Sequence, residues 1–293
     1  MKNSEKLSEK IARVVRTTDV QELIFPVAKV ESPYESSSHT EFDVVVYPEA
    51  KPDGYRVASC AKGYNLVDNT LFLTLRNALL ALGVVFEEYY TMEDFSMFTA
   101  KFVLKSMNGV DLGFSVGTND KVYPQISMRK SYNSRIKYAF LFGFFRLICS
   151  NGLTIPVMEM KDFNWNYVGK HTEKLNESIA TLNEKLNDYL VFAENKNIAE
   201  RFNNLTKNTY VANYGERVEE VMNATKIAKG ISNKNMNKVL EYIETEASVL
   251  GSDVNDWLIY NGINSFLYKD NVKTDEVRDI KDKEVLSYIM KTA

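Results

Sequence analysis

Cysteine and histidine are almost missing from this sequence: 293 residues contain two of each, Cys60, Cys149, His39 and His171. Structural zinc sites need ligands paired at short spacing, and these four stand far apart, so no metal is expected. The same scarcity leaves no Ser/His/Asp or Cys/His set from which to build an activated nucleophile. Neither GxxxxGK[ST] nor GxGxxG occurs, so no glycine loop is present to cradle a nucleotide phosphate. No apolar run reaches the ~20 residues that cross a bilayer, and the polar start MKNSEKLSEK lacks the apolar segment of a secretory signal. The residues ask for no catalysis, no cofactor and no membrane, and the expected location is the cytoplasm.

Hydrophobic residues make up 45% of the chain and charged residues 26%, with a formal net charge of −3. That composition supports a real core and excludes a protein that coats nucleic acid with its whole surface; only a local basic patch could do so. A second absence defines such a patch. The stretch Lys121 to Met158 contains no Asp or Glu. Within it, Ser131-Tyr132-Asn133-Ser134 runs into Arg135 and Lys137, then into the apolar run Tyr138 to Phe145. This reads as a core helix capped near Asn133 or Ser134 and closed near Gly152, with a basic entrance.

The fold class expected is α+β: a small, mostly antiparallel sheet of about four strands packed by two core helices, followed by a helical C-terminal half. The expected organisation is N-terminal helices and a loop over residues 1–54, an α+β core over 55–162 and a helical region over 163–293. Leu7, Ile11, Val14 and Val15 are spaced as in a helix, and a second short helix follows Thr17-Thr18-Asp19. Residues 42–47, FDVVVY, read as a strand. Thr70 caps a helix from Leu71 to Leu82, closed by Gly83. Phe98, Ala100, Phe102 and Leu104 alternate with Thr99, Lys101, Val103 and Lys105, the period of a strand with one covered face. Asn108-Gly109 makes a tight hairpin, a returning strand covers Val110 to Gly117, and Val122 to Arg129 adds another in which Tyr123, Gln125, Ser127 and Arg129 share a face. Helices follow over 171–192, 217–229, 235–250 and 253–268, the last capped by Ser252 or Asp253. The charged tail after Lys269 reads as mobile.

Three blocks carry a family resemblance: Lys62 to Asn69 (KGYNLVDN); Ser131 to Ser134 leading into Arg146-Leu147-Ile148-Cys149-Ser150-Asn151-Gly152-Leu153; and Trp257-Leu258-Ile259-Tyr260-Asn261. Together they resemble the phage/plasmid-like family of unknown function, domain nine-three-two, over Tyr55 to Tyr268. The resemblance implies a viral or mobile-element setting and no agreed activity. The order of elements is similar, as fold-level analogy, to phage single-strand annealing proteins.

A helix N-terminus with cations and an aromatic ring suits a phosphate chain and its bases. The candidate nucleic-acid contacts are therefore Lys62, Tyr64, Arg129, Lys130, Tyr132, Asn133, Ser134, Arg135 and Lys137. The competing reading is a capped core helix with a solvated basic rim. Arg146, on an apolar element, needs carboxylate or carbonyl partners and is structural. Cys149 reads as a small buried hydrophobe, and Asn151 and Gly152 as turn residues. The function expected is non-catalytic binding of single-stranded nucleic acid, of an annealing or recombination kind, by a homo-oligomer. The alternative is a host-interaction or anti-defence protein that binds a bacterial protein.

Overall fold

Strands dominate the first half of the chain and helices the second. The computed structural model describes residues 14–33, 42–49, 52–62, 66–132, 139–146, 152–154, 182–194, 196–227, 233–270 and 275–293. The protein is α+β, and its chain forms two units, each assembled from three stretches. The first comprises Met1–Val103, Ile126–Leu141 and Trp165–Asn187; the second comprises Leu104–Gln125, Phe142–Asn164 and Asp188–Ala293.

In the first unit, β1 (Val14–Thr17) is followed by one turn of 3-10 helix at Val20–Leu23. The antiparallel trio β2 (Val27–Glu31), β3 (Phe42–Val46) and β4 (Tyr55–Cys60) forms a sheet of its own. Helix α1 (Thr70–Ala81) leads into β5 (Val84–Glu93), which pairs antiparallel with β1. Three long strands complete the frame: β6 (Met97–Met107), β9 (Asp120–Ser131) and β10 (Ala139–Arg146). Each of them has residues in both units. Helix α1 buries Leu71, Phe72, Leu75 and Leu79, each contributing about 1.5–3 kcal/mol as an upper estimate. It covers the core with one face only, since Leu80 is 50% exposed. The expected cap Thr70 is already the first helical residue; the N-cap position is Asn69, which makes no side-chain cap bond, and Asp68 accepts from the Thr70 amide at 2.9 Å.

The second unit continues from the hairpin. Asn108 and Gly109 take φ values of 50° and 83°, so the two-residue turn forms as its sequence demands. The returning strand is split into β7 (Val110–Asp111), paired with β6, and β8 (Phe114–Val116), paired with β9. The chain changes partner at Leu112-Gly113. Strand β11 (Gly152–Thr154) pairs with β10, and β12 (Thr209–Tyr210) pairs with β13 (Val254–Asn255). Helices α2 (Leu182–Glu194), α3 (Lys196–Asn204), α4 (Tyr214–Ala224), α5 (Asn233–Leu250), α6 (Asp256–Lys269) and α7 (Asp275–Thr292) follow. Phe202 is the centre of the aromatic core, with ring centroids 5.7 Å from Phe114, 5.5 Å from Phe144 and 5.2 Å from Trp257. Such pairs add about 0.5–1.5 kcal/mol each beyond their burial.

The large sheet has eight strands among the described residues, in the order β1-β5-β6-β9-β10-β11 with β7 and β8 alongside. The expectation of four strands is too small because β1, β5, β10 and β11 were not expected as strands, β10 standing where the core helix was expected. Ala139 to Arg146 is β10, and its run of phenylalanines reads as continuous because Phe140, Phe142, Gly143 and Phe144 are all buried. A short apolar run does not declare its period, and here aromatic enrichment was the better guide. The expected helix through Val14 and Val15 is strand β1 where it is described, and the second N-terminal helix is only the 3-10 turn. Helix α6 is capped by Asn255, which accepts from the Leu258 amide at 3.0 Å, not by Ser252 or Asp253. The charged tail is helix α7, which buries Asp282, Val285, Leu286 and Ile289.

Two buried polar centres and a cationic hairpin

Strand β9 carries the first centre, in the first unit. Its alternation turns Met128, Lys130 and Tyr132 to one side, and all three are buried. The Lys130 ammonium donates to the carbonyl oxygens of Val67 at 2.7 Å and Asp68 at 2.6 Å. Three rings surround it, with centroids at 4.6 Å for Tyr132, 5.5 Å for Phe98 and 5.9 Å for Phe72. Burial pushes the Lys130 ammonium well below the usual lysine range, against a weaker opposing pull from Asp68. Next to it, Asn69 donates to the Leu23 carbonyl at 2.5 Å, and the Tyr132 amide donates to the Ser96 carbonyl at 2.7 Å. Lys130 thus ties the chain ahead of α1 to the end of β9.

The second centre lies in the second unit, at the end of β10. Arg146 is buried beside Asp120 and Glu246. Its Nε and Nη2 lie 2.7 Å and 2.6 Å from Asp120 Oδ2, and its Nη1 lies 2.9 Å from Glu246 Oε2. The Trp257 indole donates to the same Asp120 oxygen at 2.7 Å, and the guanidinium sits 5.3 Å from the indole ring. This is the carboxylate partnership that a buried arginine requires. Two further buried carboxylates brace the helices. Asp256 accepts from Arg217 Nε at 3.0 Å, Tyr210 at 3.1 Å and Asn208 at 3.1 Å; Asp282 accepts from Tyr260 at 2.8 Å and Asn264 at 2.7 Å.

A third cluster is open to solvent, also in the second unit. Lys105 of β6 places its ammonium 4.1 Å from the Tyr123 ring centroid, and Lys121 places its own at 5.1 Å. Lys121 Nζ is 2.6 Å from Asp111 Oδ2, while Asp111 Oδ1 accepts from the Gly113 amide at 2.8 Å. Gly113 is required there: a Cβ would fall 2.5 Å from Tyr123 Cε1 and 2.8 Å from Lys121 Cε. The hairpin is clasped by Asn203 of α3, which accepts from the Gly117 amide and donates to the Ser115 carbonyl, both at 2.9 Å. The cluster is therefore held in place rather than carried on a free loop.

These placements correct the expected basic entrance. Arg129, Lys130 and Tyr132 are buried, so they do not present an open cationic surface. The reason is the strand: β9 continues to Ser131, where a helix entrance was expected, and its side chains are covered on both faces. Lys62 is exposed, and its carbonyl accepts from the Lys29 ammonium. Gly152 opens β11 instead of closing a helix. Tyr64, Asn133, Ser134, Arg135, Lys137, Cys149 and Asn151 lie outside the described residues. Sequence reasoning passed over Asp120, Glu246, Lys105 and Lys121 as site residues. Strand alternation puts Lys105 on the wetter face, but its approach to Tyr123 is seen only in the fold. Among the described residues no three His, Cys, Asp or Glu side chains gather as metal ligands, and no helix is long and apolar enough to cross a membrane.

The fold and its centres define an α+β protein whose interior is knitted by buried charges and which carries two half-exposed lysines beside a tyrosine ring on a clasped hairpin. The chain belongs to the domain of unknown function DUF932, whose family model matches residues 57–287. No curated protein and no solved structure matches it significantly.

Proposed function

We propose that this protein is a non-catalytic component of nucleic-acid metabolism that binds single-stranded nucleic acid through the cationic hairpin, as a homo-oligomer in a phage or mobile-element setting. The observation that carries the reading is the pair of lysine ammonium groups within 4.1 Å and 5.1 Å of one half-exposed tyrosine ring. Ammonium groups neutralise phosphates, and an aromatic ring stacks bases at about 1–3 kcal/mol each regardless of sequence. Two lysines make a weak site, so repetition along the strand by several copies supplies the affinity.

Fluorescence anisotropy of a labelled oligothymidine, titrated with protein at low and moderate salt, tests this. Binding is expected to weaken with salt, with a log–log slope of about −0.7 for each phosphate engaged. Lys105→Glu with Lys121→Glu is expected to lower affinity at least ~10-fold through charge reversal at the contact, and Tyr123→Ala to weaken binding with little change of slope. A folded protein with no salt-dependent affinity, or a double variant that binds like the parent, overturns the reading. A bacterial protein that co-purifies while oligonucleotide affinity is absent would point instead to a host-interaction role.

A further inference from the structure

The cationic hairpin contains its own anion. Asp111 holds Lys121 at 2.6 Å through one carboxylate oxygen and takes the Gly113 amide at 2.8 Å through the other. One ammonium and one backbone amide converging on two oxygens is the donor set that holds a phosphodiester. The Asp111 side chain is 56% exposed and that of Lys121 is 38% exposed, so the pair stands in water, where such bonds are weak and exchange readily. Lys105 and the Tyr123 ring border the same spot, and Gly113 leaves room for both neighbours. We infer that Asp111 is an internal phosphate mimic, a built-in competitor that occupies the phosphodiester seat until a nucleic-acid strand displaces it. The inference rests on the nucleic-acid reading above and assigns that site its regulation.

The mutual effects of the pair agree with the geometry. Lys121 holds the Asp111 carboxyl below the usual carboxylate range, and Asp111 raises the Lys121 ammonium. Both groups therefore remain charged at neutral pH, and competition is set by charge rather than by protonation.

The test is Asp111→Asn, which keeps an oxygen for the Gly113 amide and so leaves the turn intact, but removes the charge. Oligothymidine affinity at low salt is expected to rise about 3- to 10-fold, the scale of releasing one exposed ion pair plus one repulsive charge. The salt dependence should steepen by up to about 0.7 in log–log slope, since Lys121 becomes available to displace a counterion. Glu219→Gln, the same charge change at an exposed position on α4, is the control and should shift affinity far less. In a Lys121→Gln background, Asp111→Asn should give a smaller gain, since only the repulsive charge and no ion pair is then removed. If Lys121→Gln weakens binding but Asp111→Asn matches the Glu219 control, the competitor role is refuted while the binding reading stands. If Lys121→Gln and the double charge reversal both leave affinity unchanged in folded protein, the binding reading itself falls.

Discussion

Replacing Arg146 with methionine probes the interior most directly. Methionine keeps an unbranched apolar stem of similar reach, so the loss is chiefly that of the guanidinium. Asp120 Oδ2 then loses contacts at 2.7 Å and 2.6 Å and, among the described residues, keeps only the Trp257 indole; its Oδ1 has no hydrogen-bond partner there. Glu246 loses its 2.9 Å contact as well. Breaking a buried pair from one side costs about 3–5 kcal/mol, because a charge is left without compensation in a dry site. Against a total stability of roughly 5–15 kcal/mol, that is a large fraction. The assay is urea unfolding followed by far-ultraviolet circular dichroism, which is insensitive to the local change beside Trp257. Adding Asp120→Asn and Glu246→Gln should recover most of the loss, because Asn still accepts from the indole and no buried charge remains. A cost below about 1 kcal/mol for Arg146→Met would refute the argument, for it would mean that the carboxylates are solvated.

Two further expectations concern pH. Lys130 has a folded-state pKa below its unfolded value of 10.5, so between the two the unfolded chain binds the extra proton and stability rises with pH. The stability of the parent relative to Lys130→Met should therefore grow as pH rises toward 10.5, by urea unfolding at several pH values; a flat or falling difference would show that the two carbonyls and three rings outweigh burial. Tyr242 behaves in the opposite sense. Burial and its 2.6 Å bond to Asp270 push its hydroxyl up to about 12, so it stays protonated in the folded state while the unfolded chain ionises near 10. Stability from this group is complete below pH 10 and lost toward 12, and Tyr242→Phe should remove that alkaline decline, read by ultraviolet absorbance titration beside unfolding.

Much of the β framework was legible because its local signals agree. The strand around Phe98 to Leu104 alternates cleanly, and Asn108-Gly109 leaves one choice of turn. Strand β5 was hidden for a physical reason. Its inward Glu88 interrupts the apolar face, and only the fold shows that Arg76 at 2.9 Å and the Tyr90 hydroxyl at 2.8 Å satisfy it. Helix α7 was hidden by composition, since four buried positions among charged neighbours resemble a solvated tail. Strand β10 was hidden because it is apolar on both faces, with Leu141 and Phe145 half-buried opposite the buried Phe140, Phe142 and Phe144, which erases the period that separates strand from helix.

The blocks that carry the family resemblance turn out to be interior parts where they are described. Val67 and Asp68 of the first hold Lys130, beside Tyr132 of the second; Arg146 of the second meets Trp257 of the third across Asp120. A buried centre of this kind tolerates few residue types, because each donor has one acceptor at one distance and an orphaned charge is expensive. Such blocks therefore report that the chain folds this way. The hairpin lies between them in sequence, and its half-exposed Lys105, Lys121 and Tyr123 are under a weaker packing demand. Chains sharing the buried blocks can thus keep the framework while altering the hairpin, so membership in the family does not by itself fix the ligand. On this argument, substitutions at Lys105 or Lys121 should leave unfolding midpoints within about 0.5 kcal/mol of the parent while changing oligonucleotide affinity. A loss of stability that tracks the loss of binding would mean that the hairpin belongs to the framework and not to a site.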